Sequence, residues 1–210
     1  MKLTHYGHAC LLVETDAGAR LLIDPGTLSS GFEHLTGLTA VLVTHEHPDH
    51  LDVDRLGPLL AANPDTPLYA EPATAAQLGE LGAKAVLTGD RLEFEGAVVE
   101  VVGGAHENVY DGFPGSGNVG YVIDGGDFYH PGDSFTVPDA GIDVLGLPIC
   151  APWLKLADSI AFLREIAPRV AVPMHEADLV DTSTAYFMVG HFTPEATSFS
   201  PLDPGIATTL

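Results

Sequence analysis

One ten-residue stretch, VLVTHEHPDH at residues 41–50, joins an apolar segment to four side chains that can bind metal ions. These are His45, His47, Asp49 and His50, in the pattern H-x-H-x-D-H. Imidazole suits first-row transition metals, and a carboxylate adds a harder ligand. Residues two positions apart in an extended segment point the same way, so His45 and His47 can converge on one metal. We expect the chain to bend at Pro48 into a helix, which would turn Asp49 and His50 towards a second metal.

Three more ligand-type residues stand directly after predicted strands. His106 follows AVVEVVGGA, Asp133 follows DFYHPG and His175 follows RVAVPM. Sites in layered α/β folds gather at the ends of strands, so these residues can complete the centre. Any one of them alone would be weak support for a site. Together with the H-x-H-x-D-H segment, they predict a centre for two metals.

The elements that must position these residues are short strands interleaved with a few helices. Strands are predicted in LTHYG, ACLLVET, ARLLID, VLVT and PLY, and later in KAVLT, RLEFEG, AVVEVVGG, NVGYVID, DFYHPG, IDVLGLP and RVAVPMH. Helices are predicted around residues 50–62, 73–82 and 156–167, and the tail after residue 192 is expected to be a short strand or coil. This order favours two packed sheets with helices outside them. We expect one domain over residues 1–210, since no linker is visible.

Composition narrows the class of partner. The net charge is −21, and the eight Lys and Arg residues form no stripe. Nucleic-acid binding needs basic residues against the phosphates, so that partner is not expected. No apolar run reaches the roughly 20 residues that span a bilayer, and no signal peptide is expected. The two cysteines favour a reducing compartment. We therefore expect a cytoplasmic protein with a small-molecule substrate and no membrane partner, and a homo-oligomer stays open.

The same motifs resemble the metallo-β-lactamase-fold hydrolases: H-x-H-x-D-H, a later His, an Asp in HPGDS and a last His in VPMH. The segments YGHACLLVET, LLIDPG, LPI and VPMHEA are similar to a compact branch of that superfamily. This branch includes ascorbate-6-phosphate lactonase-like and uncharacterised metal-dependent hydrolases. The resemblance runs from about residue 2 to residue 190. It implies an α/β (α+β) fold, a four-layer αββα sandwich with two mixed sheets flanked by helices.

The resemblance also implies a ligand set. Metal 1 would take His45, His47 and His106, metal 2 would take Asp49, His50 and His175, and Asp133 would bridge both. Two divalent ions are implied, with Zn²⁺ preferred and Mn²⁺ or Fe²⁺ as alternatives, because these ligands suit several metals. Asp24 in LLIDPG is expected to orient a ligand imidazole from behind, or to cap the D-P-G turn. His8 and His130 are further candidates for supporting contacts.

The function implied is a dinuclear metal-dependent hydrolase. A metal-bridging hydroxide would attack a small ester, lactone, amide or phosphorylated substrate. Asp49 and Asp133 would be the catalytic carboxylates, and neither Ser134 nor Cys150 would be needed as a nucleophile. Two alternatives stay open: an iron-dependent redox or sulfur/oxygen-handling enzyme on the same fold, and a noncatalytic metal-binding interaction protein.

A glycine pattern and the pair Trp153 and Lys155 are also candidates for functional roles. Gly115-x-Gly117-x-x-Gly120 matches a dinucleotide-binding pattern but precedes a strand rather than a helix. Residues 112–118 are therefore interpreted as a rim loop. Trp153 and Lys155 are candidates for a substrate wall and an anion anchor, or for a surface pair at a helix start.

Overall fold

The computed structural model describes residues 1–111 and 115–210, which form two seven-stranded sheets. The first sheet has the order β14-β1-β2-β3-β4-β5-β6 and contains β1 (Lys2–His5), β2 (Leu11–Glu14), β3 (Arg20–Ile23), β4 (Ala40–Val43), β5 (Leu68–Ala70), β6 (Lys84–Ala85) and β14 (Thr208–Thr209). The second has the order β13-β12-β11-β10-β9-β8-β7 and contains β7 (Arg91–Phe94), β8 (Ala97–Gly103), β9 (Val119–Ile123), β10 (Phe128–His130), β11 (Val144–Pro148), β12 (Val170–Met174) and β13 (Ser198–Phe199).

Both sheets are mixed. Neighbours are antiparallel from β14 to β3 in the first sheet and from β7 to β10 in the second. The remaining neighbours in each sheet are parallel. Each parallel half therefore presents the carboxyl ends of its strands at one edge, which is where ligand-type residues were predicted.

The helices of the described residues cover the outer faces of the sheets. They are α1 (Val53–Ala62), α2 (Pro72–Gln77), α3 (Leu156–Ile166) and α4 (Ser183–Phe192). Leu56 and Leu59 of α1 share an apolar cluster with β2, β3 and β4. Phe162 of α3 and Val189 of α4 share another with the second sheet. The predicted four-layer αββα sandwich is thus confirmed.

The alternation of side chains along the strands produces these layers. Leu11 and Val13 of β2 belong to the core between the two sheets, whereas Leu12 belongs to the cluster under α1. Successive residues of a strand point to opposite faces, so a strand that is apolar throughout is buried on both sides. Every residue of β4 is buried. The Tyr121 hydroxyl of β9 donates a hydrogen bond to the Val43 carbonyl at 2.8 Å and so ties the sheets together beside the site.

The helix boundaries differ from the sequence prediction. α1 begins at Val53, because Asp52 caps it by accepting a hydrogen bond from the Arg55 backbone N–H. The preceding residues form a turn in which the backbone N–H groups of His50 and Leu51 both donate to the His47 carbonyl at 3.0 Å. The expectation that Pro48 opens the helix was therefore wrong.

Two further differences lie in the other helices. α2 ends at Gln77 and is followed by a 3-10 helix, Gly79–Leu81, and by Gly82 in the left-handed region. α4 was not predicted, because its apolar residues form no stripe: Val189 is buried while Phe187 is 69% exposed. The short strands β13 and β14 agree with the expectation for the tail. Residues 112–114 of the predicted rim loop lie outside the described residues. None of the described helices is long and apolar enough to cross a membrane.

Candidate metal centre

The predicted ligands lie together at one edge of the sandwich, where strands of both sheets end. The H-x-H-x-D-H segment leaves β4 of the first sheet, and His106, Asp133 and His175 follow β8, β10 and β12 of the second. The start of β9 in the second sheet and the histidine segment are joined by a hydrogen bond from the Val119 N–H to the Thr44 carbonyl at 3.0 Å. The centre therefore lies between the two sheets, and each sheet contributes part of it.

The ligand atoms form two groups, and within each group they lie within 4.8 Å of one another. One group is His45, His47, His106 and Asp133; the other is His8, Asp49, His50 and His175. Asp133 faces both groups. Its Oδ2 is 3.2 Å from His106 Nε2, and its Oδ1 is 3.0 Å from His50 Nε2 and 3.2 Å from His175 Nε2. The grouping follows the predicted division, with His8 as an addition, and the metal-binding role of these residues stays a prediction.

Buried polar atoms at the centre test whether a metal fits. Within the described residues, His50 Nε2, His106 Nε2, His175 Nε2 and Asp133 Oδ1 have no hydrogen-bond partner. They lie close together, yet they are not aligned as donors and acceptors. Each unsatisfied buried polar group costs about 1–3 kcal/mol. Cations at the points where these atoms converge would satisfy them, and imidazole and carboxylate are donors that transition metals accept. The residues therefore fit divalent metal ions.

In four histidines, Nδ1 is hydrogen-bonded to a supporting group, which shows that Nε2 is the nitrogen without the ring proton. His50 Nδ1 donates to Asp24 Oδ2 at 2.7 Å, and His45 Nδ1 donates to the Thr44 hydroxyl at 3.0 Å. His106 Nδ1 donates to the Glu107 carbonyl and His175 Nδ1 to the Cys150 carbonyl. A proton fixed on Nδ1 leaves Nε2 as a lone pair, which is the form that binds metals. All four histidines thus carry a lone pair on Nε2, and that of His45 lies 3.0 Å from His47 Nδ1.

Asp24 holds the imidazoles of His45 and His50 in place through Thr44 and by direct contact. It is fully buried at the end of β3, with a left-handed φ of 50°. Its Oδ1 accepts from the Thr44 N–H and its Oδ2 from the Thr44 hydroxyl, both at 2.7 Å. Because the Thr44 hydroxyl then accepts from His45, Asp24 orients one imidazole in each group. Thr44 was missed by the sequence reasoning, although it directly precedes His45.

His8 lies against the second group but differs from the ligands. The Ala177 N–H donates to its Nδ1 at 3.3 Å, which places the ring proton on Nε2. That Nε2–H donates to Asp49 Oδ2 at 3.1 Å. His8 is also tied to His175, since the His175 N–H donates to the His8 carbonyl at 2.9 Å and the ring centroids are 3.8 Å apart. His8 therefore holds Asp49 in place and offers no lone pair to a metal.

Both ring nitrogens of His130 are hydrogen-bonded to backbone groups. Its Nε2 donates to the Ala9 carbonyl at 2.9 Å, and its Nδ1 accepts from the Gly132 N–H at 3.1 Å. It thereby supports the turn that carries Asp133. Asn118 supports the same turn, because its Oδ1 accepts from the Asp133 N–H at 3.0 Å. Asn118 was not singled out from the sequence.

Burial and charge set the protonation of the centre. Burial lowers the pKa of His45 well below its ordinary value, and the neighbouring His50 lowers it further. Burial alone would raise the pKa of Asp133, but His50 and the contacts with His106 and His175 hold it well below its usual range. Burial opposes a charge on His50 as well, yet Asp133 and Asp24 raise its pKa well above the ordinary value. Asp133 is thus anionic, and a proton and a metal ion would compete for His50 Nε2.

The loop over residues 25–29 braces the histidine turn. A Cβ atom on Gly26 would lie 1.8 Å from the Asp49 carbonyl oxygen, so only glycine allows this approach. The Thr27 N–H donates to the Pro48 carbonyl at 2.8 Å. Arg55 of α1 fixes the loop by donating to the Gly26 carbonyl at 2.6 Å. Gly26 and Arg55 were not recognised from the sequence, although D-P-G after a strand pointed to a tight turn.

Trp153 and a cavity lie beside the candidate metal centre. The half-buried Trp153 donates its indole N–H to Asp133 Oδ2 at 2.8 Å. Lys155 is exposed just before α3. A cavity of about 300 Å³ opens beside His47 and His106 and is also lined by Glu46 and Glu107.

The two mixed sheets flanked by helices are those of the metallo-β-lactamase fold, which is also the fold of the Bacillus subtilis protein YhfI. The chain belongs to the beta-lactamase superfamily, because the beta-lactamase superfamily domain matches residues 2–175. The resemblance seen in the sequence is thereby confirmed.

Three known proteins show how close the relationship is. Protein Rv0786c of Mycobacterium tuberculosis is 49% identical over 183 residues, which cover 84% of each chain. The UPF0173 metal-dependent hydrolase MK1542 of Methanopyrus kandleri is 32% identical, over 83% of this chain and 84% of that one. The solved structure of Igni18, a metallo hydrolase from Ignicoccus hospitalis, matches with a TM-score of 0.77 and 22% identity over 99% of this chain and 97% of that one. The last match shows a shared fold.

Proposed function

We propose that this metal-dependent hydrolase works through a dinuclear centre and cleaves a small ester, lactone or amide. The observation that carries the proposal is the set of unpartnered buried atoms on His50, His106, His175 and Asp133, which converge from two groups. His45, His47 and His106 would hold one ion, Asp49, His50 and His175 the other, and Asp133 would contact both. When bound, the ions would lower the pKa of a water to about 7 and polarise the oxygen of the scissile bond.

The carboxylates of the chain have distinct tasks. Asp133 is 2% exposed and anionic, so it neutralises positive charge between the two groups. Asp49 reaches further out, with 26% of its side chain exposed, and His8 fixes its Oδ2. Asp49 can therefore orient the attacking water, accept its proton and pass that proton to the leaving group.

The cavity beside His47 supports the choice of substrate class. Its carboxylates, Glu46 and Glu107, would repel an anionic group, and the chain carries a net charge of −21. Glu46 and Glu107 thus favour a neutral acyl group in the part of the cavity away from the ions, and a phosphorylated substrate stays the alternative, because bound divalent ions would offset these carboxylates at the scissile bond. The two free thiols, Cys10 and Cys150, support the proposed reducing, cytoplasmic setting.

The test combines metal content with hydrolysis. Protein stripped with a chelator would be reloaded with Zn²⁺, Mn²⁺ or Fe²⁺ and assayed on an aryl ester, a lactone, an anilide and an aryl phosphate. We expect two ions per chain and turnover of acyl substrates. Asp133→Ala and His47→Ala should lose metal and at least about 100-fold in rate, whereas His34→Ala, an exposed histidine outside the centre, should lose neither.

Three outcomes would count against the proposal. Full metal content and rate in Asp133→Ala would contradict the assignment of this residue. Iron as the sole bound metal, with oxygen uptake and no hydrolysis, would favour the redox alternative. Purified protein that binds none of these metals would favour a noncatalytic interaction protein.

A further inference from the structure

The indole of Trp153 reaches the carboxylate that lies between the two ligand groups. Its Nε1–H donates to Asp133 Oδ2 at 2.8 Å. The centroid of its ring system is 5.8 Å from the His106 ring, which belongs to one group, and 6.4 Å from the His175 ring, which belongs to the other. Trp153 thus covers the gap between the groups while its donor is directed at the residue that they share.

The indole is held in place independently of Asp133. Its ring packs edge-on against Phe135 at 5.3 Å, and Phe135 packs against Phe162 of α3 at the same distance. Since α3 packs on the second sheet, the donor is anchored to the layer that also supplies Asp133. An anchored donor can fix the carboxylate, whereas a mobile side chain would only follow it.

The hydrogen bond leaves Asp133 free to serve both groups. A carboxylate oxygen offers two lone-pair directions. Oδ2 can therefore accept the indole N–H and still face His106, while Oδ1 faces His50 and His175. A hydrogen bond to an ionised acceptor is about twice as strong as a neutral one. The indole N–H thus restrains the plane in which the carboxylate can turn.

We infer that Trp153 is a positioning residue that fixes Asp133 in the orientation that both metals require. The inference rests on the proposed metal centre and adds a residue that the ligand pattern does not contain. Because Trp153 is the single tryptophan of the chain, its indole N–H gives one unambiguous NMR signal.

The hydrogen bond can be measured directly in ¹⁵N-labelled protein, first stripped with a chelator and then loaded with Zn²⁺. In the metal-free protein, we expect the indole N–H to exchange with solvent at least about tenfold more slowly than in Asp133→Ala. Asp49→Ala is the matched control, because Asp49 is a carboxylate of the same centre with no hydrogen bond to the indole. In Asp49→Ala, the indole N–H should exchange with solvent at a rate within about twofold of that in the wild type. Slow exchange should persist after Zn²⁺ is added to the wild type.

Equal exchange rates in the wild type and Asp133→Ala would overturn the inference. So would a Zn²⁺-loaded protein in which the indole N–H exchanges as freely as an unbonded one, because the residue would then not contact Asp133 in the working state.

The consequence for metal binding is tested with two substitutions of Trp153. Trp153→Phe keeps an aromatic ring and removes the donor, so Zn²⁺ affinity, measured by competition with a chromophoric chelator, should fall about tenfold. Trp153→His restores an N–H donor and should recover affinity to within about threefold of the wild type. Phe135→Leu keeps the donor but loosens the packing that anchors it, so it should lower Zn²⁺ affinity by less than Trp153→Phe does.

Zn²⁺ affinity in Trp153→Phe within twofold of the wild type would refute the positioning role. None of these measurements needs a substrate. An absence of hydrolysis would therefore count against the proposed function and leave this inference standing, whereas an unbonded indole would overturn this inference alone.

Discussion

Gly26→Ala should disable one ligand group and spare the other. The added Cβ would lie 1.8 Å from the Asp49 carbonyl oxygen and 2.6 Å from the His50 backbone nitrogen. Because ordinary contacts begin near 3.4 Å, one backbone segment must move by about 1.6 Å. Arg55 holds the Gly26 side, so the displaced segment is the turn that carries Asp49 and His50.

The size of the effect follows from these distances. Functional sites tolerate displacements of about 0.5 Å, so ligation by the second group should fail. His106 and Asp133 come from the other sheet, and His45 and His47 precede the displaced residues, so the first group should survive. We expect the metal content to fall from two ions to one per chain. The free energy of unfolding should fall by about 1–3 kcal/mol, as for other overpacked sites.

Metal analysis after dialysis against Zn²⁺ and urea unfolding of the stripped protein would measure both effects. Gly57→Ala in α1 is the matched control, since a Cβ there meets nothing within 4 Å. It should retain two ions and gain up to about 1 kcal/mol from the higher helix propensity of alanine. If Gly26→Ala bound two ions with the affinity of the wild type, the loop would not be bracing the centre.

Three further outcomes are expected. His8→Ala should weaken binding of the second Zn²⁺ about tenfold, because it removes the donor to Asp49. In the same titration, His8→Gln should bind the second Zn²⁺ within about threefold of the wild-type affinity. Equal losses of affinity in the two variants would contradict a donor role for His8. Ser134→Ala and Cys150→Ala should each keep at least about half of the acyl-hydrolase rate, because no covalent nucleophile is needed; a 100-fold loss in either would show otherwise. Burial raises the pKa of Glu176 from 4.5 to about 7, so the unfolded chain loses this proton first and the stability of the stripped protein should fall as pH rises from about 4.5 to about 7. In urea unfolding, Glu176→Gln should reduce the loss of unfolding free energy between pH 5 and pH 8 by about 2–3 kcal/mol. If the unfolding free energies of the variant and the wild type changed identically with pH, Glu176 would not have the raised pKa.

The convergence of the candidate ligands could be predicted because their signals are local. His45, His47 and Asp49 lie within one segment, and His106 and His175 each follow an apolar strand. The strand periodicity that gives the two sheets is equally local, since a side chain faces in or out according to its place in the strand.

Apart from Asp24, much of the support for the centre could not be predicted in the same way. Trp153 contacts Asp133 from 20 positions away, and Arg55 contacts Gly26 from 29. Such contacts depend on how elements pack, which one sequence without its fold does not show. The start of α1 was misplaced for a related reason. Pro48 suits a first helical turn, but the contacts of its carbonyl and of Asp52 with the loop delay the helix to Val53.

The division of the candidate ligands between the two sheets would make a bound ion a cross-link. An ion held by His45 and His106, or by His50 and His175, joins layers that otherwise meet through apolar contacts and a few hydrogen bonds such as that of Tyr121. Such an ion binds the folded chain and cannot bind the separated sheets equally well. Folding and metal acquisition would therefore form one equilibrium. Each tenfold rise in free metal above the dissociation constant adds about 1.4 kcal/mol of stability per site, and the supply of metal in the cell would set how much of the protein persists.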